Sequence, residues 1–148
     1  MPRSDPSDEI DTIAYAVSFM EAAKRLADTE WEDNHPLIVP FYMLIGFSLE
    51  NALKAILEFN GSDRSTNWFH SHDLQKLREI AETHGFHLNA ELKEFVDHLS
   101  SPHKDHHFRY PQKAEIATRM KPPSAALLTE QLLVSVFLAI DGVKRMNE

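Results

Sequence analysis

Cysteine is absent from this chain. That excludes a disulfide framework, a thiol nucleophile and any cysteine-ligated zinc site, and it fits a cytoplasmic protein. No secretory leader is expected either: Met1 to Ile10 is polar and acidic, with neither a basic n-region nor an apolar h-region. In the first half the longest uncharged stretch runs from Pro36 to Leu49 and is stopped by Glu50. It is shorter than the roughly 20 residues that span a bilayer, and its length suits a buried helix, so a soluble protein with no membrane partner is expected. An excess of positive charge is also lacking. The net charge of −8 makes general coating of a phosphate backbone unfavourable.

What is present is ordinary globular composition, 43% apolar and 26% charged, in a chain of one-domain length. The charge is uneven. His103 to Lys121 holds Lys104, Arg109, Lys113, Arg119 and Lys121 against Asp105 and Glu115, so a basic segment interrupts an acidic body.

Five helical patterns are legible, with no strand, repeat or low-complexity segment. The first begins at Asp5-Pro6, with Asp8 and Glu9 in its first turn. It carries Ile10, Ile13, Val17, Met20 and Ala27 on one face towards Glu30. The second starts between Pro36 and Pro40 and ends at Phe59, before Asn60-Gly61. It is apolar nearly all round from Phe41 to Leu49 and is expected at the centre. A third is expected from His72 to His84, with Asp73 in its first turn and Gly85 as its stop. A fourth follows an Asn89 cap, places Leu92, Phe95, Val96 and Leu99 on one face, and is closed by Pro102. The last runs from Ser124 to Met146, with an uncharged centre from Leu132 to Ile140. The fold expected is an all-α, five-helix up-and-down bundle forming one domain over residues 1–148. The uncharged centre of the last helix is broad enough for a symmetric helix–helix interface, and a homodimer is expected. Trp31 and Trp68 are read as plugs over helix ends.

On the second helix Glu50 and Lys54 stand four apart and can pair. Two readings follow: an ion pair on a wet edge, or the wall of a polar pocket facing the histidine- and arginine-bearing segment. Gly46 is costly in a helix interior, and is tolerated where another helix or a ligand approaches closely. Nine histidines are many for this length. His70 and His72 precede the third helix, and His98, His103, His106 and His107 surround the basic segment. Histidine and carboxylate can make a nitrogen/oxygen metal site, but His98 and His103 lie five apart across Pro102. They are read as solvated or hydrogen-bonded loop histidines, with no metal and no cofactor assigned.

The run Phe41 to Leu57, with its Ser48-Leu49-Glu50-Asn51-Ala52-Leu53-Lys54 centre, the His72-Asp73-Leu74 helix start and the later Arg109-Tyr110-Pro111 together resemble the HEPN superfamily. The resemblance covers Asp11 to Pro111. It implies a bundle of four or five helices that often dimerises, and that acts as a metal-independent ribonuclease or as a toxin–antitoxin or phage-defence component. The catalytic signature it implies is an arginine followed, four to six residues on, by a histidine. The arginine steadies phosphate charge and the histidine moves a proton. Arg64 with His70 and Arg78 with His84 have that gap, away from the front of a late helix, and no histidine follows Arg109.

The reading reached is a binding or regulatory module without robust catalysis, taking a phosphate-bearing ligand such as RNA or a nucleotide. Glu50, Lys54, His72, Arg109 and Tyr110 form its ligand site. His72, His107 and Arg109 are the candidate catalytic groups should turnover occur, and Glu50 orients Arg109. The alternatives are a metal-independent ribonuclease and a metal-dependent phosphohydrolase of the HD type, for which His35, His72-Asp73 and Asp141 occur in the required order.

Overall fold

A computed structural model describes residues 6–28, 37–61, 71–104 and 121–146. The helices are α1 (Pro6–Ala27), α2 (Ile38–Phe59), α3 (Leu74–Thr83), α4 (Ala90–Lys104) and α5 (Pro122–Met146). Among the described residues there is no strand, and the all-α bundle expected from the sequence is what forms.

α2 is the central element. It touches each of the other four helices, and Phe41, Ile45, Leu49, Leu53, Ile56 and Leu57 are sealed from solvent. An apolar surface this wide cannot face water on any side, so the remaining helices gather round it. α1 lies antiparallel to α2. The Ser48 hydroxyl donates to the Ala16 carbonyl at 2.7 Å, and Thr12 meets the Glu58 carboxylate at 3.3 Å.

α3 and α4 form the second antiparallel pair, joined by a partly buried charge cluster around Arg78. The Arg78 guanidinium donates twice to Asp97, at 2.7 and 3.0 Å, and once to Glu82 at 2.6 Å. Between them α3 stops at Gly85, whose φ of +89° favours glycine. The Gly85 N–H bonds the Glu82 carbonyl and the Phe86 N–H the Ala81 carbonyl, a Schellman closure with Phe86 tucked inside.

Several boundaries depart from the sequence reading. α1 ends at Ala27 rather than Glu30, and α5 begins at Pro122 rather than Ser124. α3 begins at Leu74, with His72 outside the helix and Asp73 as its N-cap, because a carboxylate there satisfies the Lys76 N–H at 3.1 Å. Most consequentially, α4 is not closed at Pro102 but runs through it to Lys104. Proline removes one backbone donor and crowds the carbonyl four residues back; burial of Leu99, Pro102 and His103 on the core-facing side outweighs that cost.

α5 packs on α1, α2 and α4, burying Leu132, Val136 and Ile140. Its outer side leaves Leu127, Val134, Phe137 and Leu138 in solvent. Over Pro122–Gly142 it is long and apolar enough, by length and composition, to cross a bilayer. Trp31 and Trp68 lie outside the described residues.

Candidate functional site

Gly46, Glu50 and Lys54 recur every four residues on α2 and so form one row on its surface. Opposite that row lie the residues leading into α3 and the last turn of α4. Those two segments are tied together: the Ser100 hydroxyl donates to the Asp73 carboxylate at 2.9 Å and accepts the Gln75 N–H at 2.9 Å. Lys104 reaches the other Asp73 oxygen at 3.8 Å. This clamp fixes the backbone on either side of His72 and His103, and both imidazoles turn towards Glu50.

The Glu50 carboxylate is the hub. Its Oε1 lies 2.7 Å from His72 Nδ1 and 2.9 Å from His103 Nε2, and its Oε2 accepts from Lys54 Nζ at 3.1 Å. Glu50, Lys54 and His103 are buried, while the His72 side chain is 43% exposed. Burial by itself would raise the Glu50 pKa. The hydrogen bond from His103, the Lys54 charge and the hydrogen bond from His72 outweigh it and bring the carboxyl down to about 2. Glu50 is therefore ionised, and an ionised carboxylate can only accept. The ring nitrogens facing it carry the protons, which leaves Nε2 of a neutral His72 with a lone pair.

His103 is seated as well as bonded. Its ring meets the Phe47 ring edge-on, with centroids 5.2 Å apart at 84°, and lies flat against Gly46. The two imidazoles stand at 85° to one another with centroids 6.2 Å apart.

Of the residues selected from the sequence, Glu50, Lys54 and His72 meet here. Glu50 and Lys54 form a buried ion pair, not one on a wet edge. Arg109, Tyr110 and His107 lie outside the described residues, and with them the expected Glu50–Arg109 pairing. His103 was read as a loop histidine; it belongs to α4 and is buried against Glu50. The signal for it was present, since His103 continues the stripe Leu92, Phe95, Val96 and Leu99 by four more residues. The close approach inferred at Gly46 is that of His103.

The other chemical candidates have different employment. Arg78 is consumed by Asp97 and Glu82, so it is not placed to act with His84. The Asp73 carboxylate caps α3 and binds Ser100. Asp141 lies exposed on α5, and His98 is exposed on α4. His35, Arg64 and His70 lie outside the described residues. Among the described residues, the cluster with three donor atoms close enough to share a metal ion consists of Glu50, His72 and His103.

Comparison with protein-family models, with curated proteins and with solved structures returns no match.

Proposed function

We propose that this chain is a HEPN-like binding or regulatory module, working as a homodimer, that takes a phosphate-bearing ligand at the crevice above Glu50. The observation that carries this reading is the convergence of His72, His103 and Lys54 on one buried carboxylate. Three donors meet Glu50 and its charge is matched by Lys54, so the cluster does not present a bare anion to a phosphate. His72 forms the accessible rim. Basic residues follow directly in the sequence from Lys104 onwards, among them Arg109 and Lys113, and arginine suits bidentate phosphate recognition.

The test is binding of a labelled short RNA and of a nucleoside monophosphate to the full chain, read by anisotropy. Saturable binding that weakens about tenfold or more in His72→Ala and Arg109→Ala supports the reading. Binding that neither substitution alters overturns it.

A metal-independent ribonuclease is the second reading, and one observation favours it. The ionised Glu50 holds His72 by Nδ1 while that side chain stays 43% exposed, an arrangement suited to orienting an imidazole for proton transfer. RNA cleavage that persists in chelator and vanishes in His72→Ala would select this reading over the non-catalytic one.

A further inference from the structure

The same three side chains have a capability that phosphate binding does not require. We propose that Glu50, His72 and His103 form a binding site for a first-row divalent transition-metal ion, zinc foremost. Glu50 Oε1, His72 Nδ1 and His103 Nε2 all lie within 4.8 Å of one another. They come from three separate segments, the middle of α2, the residues before α3 and the end of α4. Two imidazoles and one carboxylate are a donor set that suits zinc, iron, cobalt or nickel and does not suit magnesium or calcium, which take oxygen.

The distances are compatible with a small adjustment. At 2.7 and 2.9 Å the nitrogens are hydrogen-bonded to Oε1. Tetrahedral ligation with bonds of about 2.0–2.1 Å needs ligand atoms about 3.3 Å apart, so Oε1, at which both rings now aim, draws back and the ion takes its place between the rings. Proton accounting closes within the rings. A neutral His72 moves its proton from Nδ1 to Nε2, and a neutral His103 from Nε2 to Nδ1, so binding needs no proton acceptor beyond the imidazoles. Three protein ligands leave at least one coordination position, and the exposed His72 side supplies the approach for water or an anionic oxygen.

The surroundings have the form of a supporting shell. Lys54 holds Oε2, which leaves Oε1 to bind as a single donor atom, and Phe47 and Gly46 set the His103 ring plane. Lys54 also opposes the ion, because an ammonium next to the ligating carboxylate repels a dication. That opposition separates the metal site from the phosphate-binding reading, in which Lys54 helps. The proposal needs neither Arg109 nor a phosphate.

The experiment uses the full chain, stripped with chelator and desalted into phosphate-free buffer. Zn2+ is titrated calorimetrically, and Co2+ by its visible d–d absorption. The expected result is one ion per chain with micromolar or tighter affinity, and cobalt bands of a low-coordinate nitrogen/oxygen site. His72→Ala and Glu50→Gln should each weaken Zn2+ at least about tenfold while the far-ultraviolet helical signal stays unchanged. These variants are chosen because His103 is buried and its removal also disturbs packing. The absence of stoichiometric binding overturns the proposal, and so does wild-type affinity in both His72→Ala and Glu50→Gln, which would assign the ion to other histidines. Phosphate binding, measured separately, can fail or succeed without changing any of these outcomes.

Discussion

Gly46 of α2 and His103 of α4 occupy adjoining space with no room for a methyl group between them. A Cβ built on residue 46 would stand 3.0 Å from both Cε1 and Cγ of the imidazole and would overlap Nδ1. The ring cannot step aside cheaply, because Glu50 holds its far nitrogen and Phe47 its face. Alanine is the better helix former by about 1 kcal/mol. Overpacking of this kind costs about 1–3 kcal/mol. Gly46→Ala is therefore expected to lose about 1 kcal/mol net and to push His103 away from Glu50. Urea unfolding checks the sign, and a variant as stable as the parent or more so would show that the two helices can part.

The charge state of Glu50 gives the metal-free protein an acid dependence. Its carboxyl is brought from an ordinary 4.5 to about 2 in the folded chain. A depressed folded value means that the unfolded chain takes up the proton more readily. The stabilisation is thus complete above about pH 4.5 and is lost as the pH falls towards 2. Its size is about 3 kcal/mol, given 1.36 kcal/mol for each unit. Unfolding free energies measured between these limits should show a slope that Glu50→Gln reduces. Parallel acid limbs in the two proteins would mean that Glu50 is not ionised in the fold.

Much of this arrangement could be read from residue spacing. The apolar circumference of α2 announced the central helix, Asn60-Gly61 and Gly85 marked real helix ends, and Gly46 signalled a close approach whose partner was unnamed. Glu50 and Lys54 were paired by their four-residue separation, and His72 came from the HEPN resemblance. His103 was missed for a specific reason. A proline is a strong stop in a helix interior, and Pro102 was given that weight although a core-facing stripe continued beyond it. Burial of Pro102 and His103 against the core outweighed the lost donor, and packing decided the outcome. Asp73 was misread by one position. N-cap and first-turn carboxylates look alike in sequence, and only the Lys76 N–H and Ser100 hydroxyl reveal which one is present.

Arg78 is expected to be a structural residue. Its guanidinium is buried, with Asp97 bound through two nitrogens and Glu82 through a third, and this holds α3 against α4. Asp97→Ala leaves the buried cation to Glu82 and, at 4.0 Å, to Glu79, so it should destabilise the chain by about 2 kcal/mol. Arg78→Met removes the charge and leaves Asp97 and Glu82 at the surface margin, where water can reach them. It should therefore cost less than Asp97→Ala. Thermal unfolding of the two variants checks the order. The reverse order would place the main energetic role in the arginine's contacts beyond this pair.

The outer side of α5 carries the prediction for assembly. Leu127, Val134 and Leu138 are 55%, 52% and 68% exposed, with Phe137 beside them at 45%. Their spacing sets them along one side of the helix, while Leu132, Val136 and Ile140 face the core. Apolar area left in water is unfavourable by about 25 cal/mol per Å2, and a second copy of the same helix would remove it from both chains at once. Replacing Val134 and Leu138 together with lysine puts two like charges on that surface and removes no core contact. The double variant should sediment as a folded monomer with unchanged helical signal, where the parent sediments as a dimer. A parent that already sediments as a monomer at tens of micromolar would remove the homodimer from the proposed function. The Glu50 cluster would stand, because every one of its groups comes from a single chain.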